Sequence, residues 1–389
     1  MQGYEKNHYL VGQMKKKVVI AIDSFKGSLS SREAAEALSE GVRSVVGECE
    51  VDIVPVADGG EGTAEILTEA LGGGRQMVWV HDALGRPIEA GYGLCGEVAF
   101  VDVASAAGLA LLADCERNPL KTTSLGVGEM MADALARGAR RILLGVGGSA
   151  TNDCAMGLLE GLGFRFLDSS GEAVRGCGGS LERVVRIDDT GVIGQLRGAR
   201  IQLLTDVNNP LCGPRGAAAV FAPQKGASKE DVVQLERGVR HFAEVLTVKY
   251  RRNPEAVKGA GAAGGIAGGL WSSLGAEIRV GVEAVLESVG FESRAADANL
   301  IITGEGRVDN QTLMGKVPYG VLRHGVSLGV PTVAVGGSVE WSEELREAGF
   351  AAIVAATPEG MSLGEAMRPE VARMNLRRVA EDLARQWLV

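Results

Sequence analysis

Aromatic residues make up only 4% of the 389-residue chain, and long apolar runs are missing from it. The longest candidate, residues 259–270, is half glycine. A membrane-spanning helix needs about 20 mainly apolar residues. The sequence therefore predicts a soluble protein that does not contact a membrane.

Cysteine and histidine are also scarce, with six Cys that form no C-x-x-C pair and four scattered His. This pattern favours neither a zinc site nor a disulfide framework, so we expect a cytoplasmic protein. The formal net charge of -9, with basic residues dispersed along the chain, excludes the electrostatic footprint of a nucleic-acid-binding protein. A small anionic ligand would need local cations.

The first residues carry no apolar core of the signal-peptide type. Met14 directly precedes three lysines and the first apolar run, so the sequence leaves open whether Met1 or Met14 is the start. We expect residues 1–14 to be a disordered extension.

The length favours two domains, and the 56 glycines suit close turns between strands and helices. Helical spacing of apolar residues covers Arg32 to Val46 and Thr63 to Leu71. Alternation of strand and helix predicts parallel sheets, in which ligands bind beyond the carboxyl ends of strands. The predicted strands are Val18 to Ala21, Val51 to Val56, Ile142 to Val146, Ile201 to Thr205, Leu300 to Thr303 and Thr332 to Val335. From Val78 to Leu112 the pattern changes to short strands, which we expect to be antiparallel and to begin a further domain.

The first polar loop follows the first strand and contains Asp23, Ser24, Lys26 and Ser28. Ser30 or Ser31 can cap the next helix, whose first turn carries Glu33. The loop brings together an acid, a cation and hydroxyls. A serine nucleophile with a lysine base is disfavoured, because neither the S-x-x-K nor the G-x-S-x-G spacing occurs here.

A second loop, from Asp58 to Thr63, opens the helix that follows it. Its backbone N–H groups could bind an anion, while Asp58 and Glu61 handle a hydroxyl or a metal. The alternative is a purely structural role, with Asp58 capping the helix and Glu61 in its first turn.

A third loop, Gly145 to Ala150, matches the G-x-G-x-x-A dinucleotide fingerprint, with Asp168 at the distance of a ribose-binding acid. This match is the best argument for a nicotinamide-dependent dehydrogenase. However, Thr151, Asn152 and Asp153 follow at once, and a carboxylate there would repel a pyrophosphate unless Mg²⁺ intervened. We therefore favour binding of a metal-nucleotide. The second match, Gly259 to Gly264, does not follow a strand and is interpreted as chance.

Three later loops complete the candidates. Asp206 ends a predicted strand and offers oxygen ligands of the kind that Mg²⁺ prefers, although a plain turn would look similar. Lys225 supplies a cation, unless it is simply solvated. After the strand Leu300 to Thr303, Arg307 can grip a carboxylate or phosphate, and Glu305 or Asp309 can hold a metal or hydroxyl.

These motifs together resemble the bacterial glycerate kinase family, type I, from about Lys16 to the C-terminus. The motifs that carry the resemblance are Asp23 to Ser30, Pro55 to Thr63, Gly147 to Asp153, Pro223 to Ala227 and Gly304 to Thr312. The sequence departs from the family pattern at Ile22, where Pro is usual, and at Cys154 and Ala222, where Gly is usual. None of these changes removes a charged or hydroxyl group.

The resemblance implies two α/β domains with a cleft between them. One is a Rossmann-like parallel sheet with helices on both faces, built from residues 15–77 and 290–389; the other is a mixed α/β domain of residues 78–289. The implied reaction is ATP-dependent phosphorylation of D-glycerate, most often at the 2-hydroxyl. The alternatives are 3-phosphoglycerate as product, another small hydroxy acid as substrate, or the dehydrogenase. A homodimer is possible.

We expect the following residues to form the site, with ATP and Mg²⁺ as cofactors. The catalytic candidates are Asp23, Lys26, Asp58 and Asp206. The substrate-binding candidates are Ser24, Ser28, Glu61, Arg307, Asp309 and Gln311. The nucleotide-binding candidates are Gly147, Gly148, Ser149, Thr151, Asn152 and Lys225, and the metal candidates are Asp206, Asp153 and Glu305.

Overall fold

The computed structural model describes residues 16–60 and 62–389. The predicted disordered extension, residues 1–14, and Glu61 lie outside the described residues. The strands are β1 Lys17–Ile22, β2 Glu50–Ile53, β3 Gly74–His81, β4 Pro87–Cys95, β5 Val98–Asp102, β6 Arg141–Gly145, β7 Arg165–Leu167, β8 Arg186–Asp188, β9 Arg200–Thr205, β10 Glu277–Val280, β11 Leu300–Val308, β12 Thr332–Val339 and β13 Ala352–Ala355.

The α-helices connect these strands. They are α1 Ser31–Val45, α2 Thr63–Ala70, α3 Ala104–Ala107, α4 Leu125–Ala136, α5 Met156–Gly161, α6 Ala217–Phe221, α7 Lys229–Tyr250, α8 Ile266–Leu274, α9 Gly281–Ser288, α10 Phe291–Ala295, α11 Val317–Leu328, α12 Glu343–Glu347, α13 Leu363–Ala366 and α14 Pro369–Trp387.

The chain divides into two compact units. The first contains residues 16–54, together with Glu292–Asn310 and Val321–Val389. Its five-stranded sheet has the order β13-β12-β11-β1-β2, and all pairs are parallel. Strand β1 is apolar because a strand within a parallel sheet is buried on both faces, and Val18 through Ile22 are completely buried. The predicted parallel sheet is confirmed.

Helix α1 begins as predicted. The Ser30 hydroxyl accepts a hydrogen bond from the Glu33 N–H, and the Glu33 carboxylate accepts one from the Ser30 N–H. This reciprocal pair is a capping box, which satisfies two N–H groups that the helix itself cannot. It fixes the point where the polar loop after β1 ends.

Strand β11 is longer than predicted. The sequence indicated a strand that ends at Thr303 and a loop from Gly304 onward, but the strand continues to Val308. Pairing with β12 continues to Val339, so long-range hydrogen bonds to a neighbour keep this glycine-containing segment extended.

The second unit comprises Pro55–Phe291 and Gln311–Gly320. Its six-stranded sheet has the order β10-β9-β6-β5-β4-β3. Strands β3, β4 and β5 are antiparallel, whereas β5, β6, β9 and β10 run parallel. The antiparallel strands expected after Val78 are therefore present, and the predicted fold class, with one parallel and one mixed α/β domain, is confirmed.

The unit boundaries differ from the predicted domain boundaries at residues 55–77, 290–291 and 311–320. The segment of residues 55–77 belongs to the second unit because β3 pairs with β4 along its whole length and α2 packs on β4 and β5. Residues 311–320 also belong to it. Within the described residues, no helix combines the length and apolar character needed to cross a bilayer.

Candidate functional site

A cavity of about 290 Å³ lies in the second unit, at the carboxyl ends of β6 and β9. Its wall includes the glycine pairs Gly59-Gly60 and Gly147-Gly148, together with Ser149, Asp206 and Lys225. Strands β6 and β9 are parallel neighbours that end at the same edge of the sheet, so the loops that follow them, with Gly147-Gly148 and Asp206, lie close together. Glycines leave the backbone open to a ligand, so the cavity combines accessible backbone, one cation and one carboxylate.

Lys225 is buried, with only 2% of its surface exposed. It ends a single turn, Pro223–Lys225, and Gly226 with φ 92° then reverses the chain. The Lys225 Nζ donates hydrogen bonds to Ser149 Oγ at 2.9 Å and to the Thr151 carbonyl at 2.6 Å. The interpretation of a solvated lysine is therefore wrong. Burial lowers the pKa of Lys225 to about 7, although the nearby Asp153 acts in the opposite direction.

The loop after β6 does not have the geometry of the dinucleotide fingerprint. Helix α5 begins only at Met156, and Asp168 lies in a turn after β7, which pairs with β8 in a separate two-stranded sheet. There Asp168 accepts hydrogen bonds from Ser170 and Arg183. The structure contradicts the placement of Asp168 as a ribose ligand, and the argument for a dehydrogenase loses its basis.

Thr151, Asn152 and Asp153 are completely buried and do not contribute to the cavity wall. The Asp153 Oδ2 accepts hydrogen bonds from the Ser124 N–H and hydroxyl, both at 2.8 Å, and from the Gly157 N–H at 3.2 Å. Burial raises the pKa of the Asp153 carboxyl in spite of these bonds. Through these hydrogen bonds, Asp153 holds the loop behind the cavity in place.

The same loop contains strained backbone. Cys154, where the family resemblance leads one to expect Gly, has φ 50°, and Ala155 has φ 65°. Both values lie in the left-handed region, which costs non-glycine residues about 1–2 kcal/mol. The Cys154 N–H donates to the Gly264 carbonyl at 3.2 Å, so a second glycine segment supports the strained turn. That segment includes Ala262 and Ala263 of the cavity wall, and the motif interpreted as chance therefore contributes to the site.

Asp206 directly follows β9, lines the cavity and is exposed. Among the described residues, no group of three or more His, Cys, Asp or Glu is arranged to hold a metal by itself. Mg²⁺ in phosphate-transferring enzymes is commonly held by one or two carboxylates plus substrate phosphates. A single carboxylate, Asp206, in the wall of the cavity fits that kind of site.

Asp58 does not cap α2. Its Oδ1 accepts from the Gly60 N–H at 2.8 Å, which closes a turn within the loop, and the helix begins after Gly62, which makes no side-chain cap. The carboxylate at the first turn of α2 belongs instead to Asp102, whose Oδ2 lies 2.9 Å from the Gly62 nitrogen. The alternative in which Asp58 caps α2 is therefore wrong.

In the first unit, the loop after β1 forms a tight turn. Phe25 and Leu29 pair across it through two backbone hydrogen bonds of 2.8 and 3.0 Å, and both side chains are buried. Gly27, with φ 77°, makes the turn possible. Lys26 is therefore exposed at the tip. The Asp23 Oδ1 accepts from the Ser24 N–H at 2.7 Å. The Ser28 hydroxyl is buried without a hydrogen-bond partner within the described residues.

The turn lies beside the extended end of β11, because the Asp23 N–H donates to the Gly304 carbonyl at 2.9 Å. On β11, Glu305 is buried and Arg307 is exposed. Arg307 forms an ion pair with Glu340, and its Nε lies 3.2 Å from the Oδ2 of Asp309. The guanidinium therefore already binds two carboxylates of its own unit. Gln311 is exposed and belongs to the second unit.

Sequence reasoning missed Asp102 and Ser124. Asp102 follows an apolar run as Asp23 and Asp206 do, and this signal could have found it. Ser124 carried no signal of its own, because its partner Asp153 is distant in sequence.

The family model described as the glycerate kinase family matches residues 18–388. The chain belongs to the glycerate kinase family. It is 42% identical over 371 residues to glycerate kinase of Bacillus subtilis (strain 168), covering 95% of this chain and 97% of that one. It is 42% identical over 325 residues to glycerate 2-kinase of Escherichia coli (strain K12), covering 83% of this chain and 85% of the relative.

A crystal structure described as glycerate kinase 2 from Salmonella typhimurium LT2 superimposes with a TM-score of 0.86 at 38% identity, covering 96% of this chain and 98% of that chain. The prediction of a kinase of the glycerate kinase family is thereby confirmed.

Proposed function

We propose that the protein transfers the γ-phosphoryl group of ATP to the 2-hydroxyl of D-glycerate, giving 2-phosphoglycerate and ADP. The observation that carries the proposal is the glycine-walled cavity with its buried cation, Lys225, and its carboxylate, Asp206, in a chain of the glycerate kinase family. The choice of the 2-position is supported by the name of the Escherichia coli relative, glycerate 2-kinase.

The cavity suits a polyphosphate. Phosphoryl transfer depends mainly on alignment and on charge stabilisation, and glycines with one cation supply both for a nucleotide. Gly147, Gly148 and Ser149 would lie along the phosphates, with Lys225 as the cation. Thr151 and Asn152 lie behind this wall, and we assign them to its support.

Asp206 is the proposed ligand of Mg²⁺, which would neutralise charge on the phosphates. Asp153 has its Oδ2 occupied by three donors, so we propose an indirect role for it. Glu305 is buried in the first unit and is kept as a second candidate ligand.

In the reaction, the 2-hydroxyl oxygen bonds to the γ-phosphorus while the bond from that phosphorus to the oxygen bridging it to the β-phosphate breaks, and ADP leaves. The hydroxyl proton would pass to Asp23 or Asp58. Lys26, exposed at the tip of its turn, would neutralise the transferring group. Arg307 is proposed to bind the carboxylate of glycerate. Its hydroxyl groups are proposed to be bound by Ser24, Ser28, Asp309 and Gln311. Glu61, which lies outside the described residues, is also proposed to bind these hydroxyl groups.

The test incubates the purified protein with D-glycerate, ATP and Mg²⁺, follows ADP release and adds enolase. Enolase accepts 2-phosphoglycerate directly, so immediate formation of phosphoenolpyruvate supports the proposal. A requirement for phosphoglycerate mutase before enolase responds would move the phosphate to the 3-position. Absence of ADP release would contradict D-glycerate as substrate and lead to other small hydroxy acids.

A further inference from the structure

Asp102 is a buried carboxylate at the carboxyl end of β5, and 5% of its surface is exposed. Its Oδ2 accepts from the Gly62 N–H at 2.9 Å, and the Ala64 N–H lies 3.3 Å from both carboxylate oxygens. The two N–H groups belong to the start of α2, where the helix has no internal acceptors. A residue about 40 positions away in sequence therefore holds this helix end.

The same carboxylate lies next to the backbone of β6. A Cβ at Gly145 would come within 2.4 Å of the Asp102 Oδ1 and 3.3 Å of the Gly59 carbonyl. A Cβ at Gly281 would come within 1.9 Å of the Asp58 carbonyl and 2.6 Å of the Gly59 Cα. Glycines at these places let Asp58 and Gly59 lie directly against the backbone at the ends of β6 and β10.

That loop supplies Gly59 and Gly60 to the wall of the cavity. Two kinds of contact therefore hold this loop. The first is close packing against Gly145 and Gly281, and the second is hydrogen bonding to the Asp102 carboxylate. Hydrogen bonds from backbone N–H groups to a carboxylate are among the stronger ones in proteins, and a buried group that loses its acceptor is costly.

We propose that Asp102 is a positioning residue for nucleotide binding, which fixes the Gly59-Gly60 wall of the cavity through the N–H groups of Gly62 and Ala64. The inference rests on the proposed function in one respect, namely that ATP is the ligand of this cavity.

The test compares Asp102→Asn and Asp102→Ala with Asp82→Asn. Asp82 is a matched control because it is also a buried aspartate of the second unit whose Oδ1 accepts two backbone N–H groups, those of Leu84 and Arg86. It closes the turn between β3 and β4 and is not part of the cavity wall. ATP binding is measured by calorimetry, and hydrogen exchange is followed at Gly62 and Ala64.

We expect Asp102→Asn to weaken ATP binding about tenfold and Asp102→Ala more, since Asn retains one acceptor oxygen. The KM for ATP should rise by the same factor, while the KM for D-glycerate stays within about twofold. Exchange at Gly62 and Ala64 should accelerate in both variants. Asp82→Asn should lower the melting temperature without these changes.

If both Asp102 variants bind ATP as the wild type does, or if Asp82→Asn weakens binding equally, the inference is overturned. Failure of the wild-type protein to bind ATP would count against the proposed function instead. In that case the exchange measurement still decides the anchoring role, because unchanged protection of Gly62 in Asp102→Ala would contradict it.

Discussion

The Nζ atom of Lys225 lies 2.9 Å from the Oγ of Ser149, in the wall of the cavity. Its second partner is the Thr151 carbonyl, so both hydrogen-bond acceptors are uncharged. Burial in these surroundings lowers the pKa of Lys225 to about 7. The lysine therefore changes its charge near neutral pH, and a bound phosphate would supply the missing counter-ion.

We predict that ATP binding weakens as the pH rises from 6 to 8. A bound anion favours protonated Lys225, and above its pKa each binding event must take up a proton. Calorimetry in two buffers of different ionisation enthalpy measures that uptake. Lys225→Met is the control, because titration of the nucleotide itself is common to both proteins. Equal pH dependence in wild type and variant would contradict the prediction.

Folding stability should change in the opposite sense with pH. The unfolded chain keeps the lysine proton up to its ordinary pKa of 10.5, whereas the folded chain keeps it only to about 7. Between these values the unfolded state binds more protons, so the contribution of Lys225 to stability increases with pH. We expect the free energy of unfolding of wild type, relative to Lys225→Met, to increase by about 2 kcal/mol between pH 7 and 9. Urea denaturation at both values checks this.

Asp206→Asn should raise the Mg²⁺ concentration needed for the half-maximal rate by about tenfold or more, because a neutral amide is a weaker ligand than a carboxylate. The measurement is a Mg²⁺ titration of ADP release at saturating ATP and D-glycerate. Asp168→Asn serves as the control, since Asp168 lies in a turn after β7 and is held by Ser170 and Arg183. An unaltered titration in Asp206→Asn would remove Asp206 from the metal site.

Local signals in the sequence were sufficient for some elements. The apolar run of β1 and the pair Ser30 and Glu33 each determine structure through neighbours a few residues away. They could be predicted because burial in a parallel sheet and helix capping leave local patterns.

Other features depend on contacts that are distant in sequence. Gly304 to Val308 contains glycine and charge, which locally indicate a loop, but pairing with β12 makes this segment a strand. The burial of Lys225 depends on Ser149 and Thr151, which are more than 70 residues away. No local pattern contains these partners, so the surroundings of a candidate site residue such as Lys225 could not be predicted from the sequence.

Lys26→Ala should lower kcat about 100-fold while the KM for ATP changes less than about threefold, because a contact to the transferring group strengthens in the transition state. Lys26 lies exposed at the tip of the turn between Phe25 and Leu29, so its loss should leave the fold intact. Lys16→Ala, at an exposed lysine of the same unit, is the matched control. An unchanged kcat would exclude Lys26 from the mechanism.

Gly264→Ala should strongly destabilise the loop behind the cavity. Gly264 has φ 67°, and a Cβ there would lie 2.0 Å from the Thr151 carbonyl oxygen and 2.6 Å from the Asn152 Cα. The backbone must move, so we expect a loss of about 3 kcal/mol or more in the free energy of unfolding. ATP binding should weaken as well, because the Thr151 carbonyl accepts the hydrogen bond of Lys225.

The control for this variant is Gly213→Ala. Gly213 has φ 89°, but nothing lies within 4 Å of its Cβ position. Only the backbone penalty of about 1–2 kcal/mol should remain, with unchanged ATP affinity. Urea denaturation and calorimetry of both variants separate the two costs. Equal losses would mean that the left-handed backbone alone, and not the contact with Thr151, requires glycine at position 264.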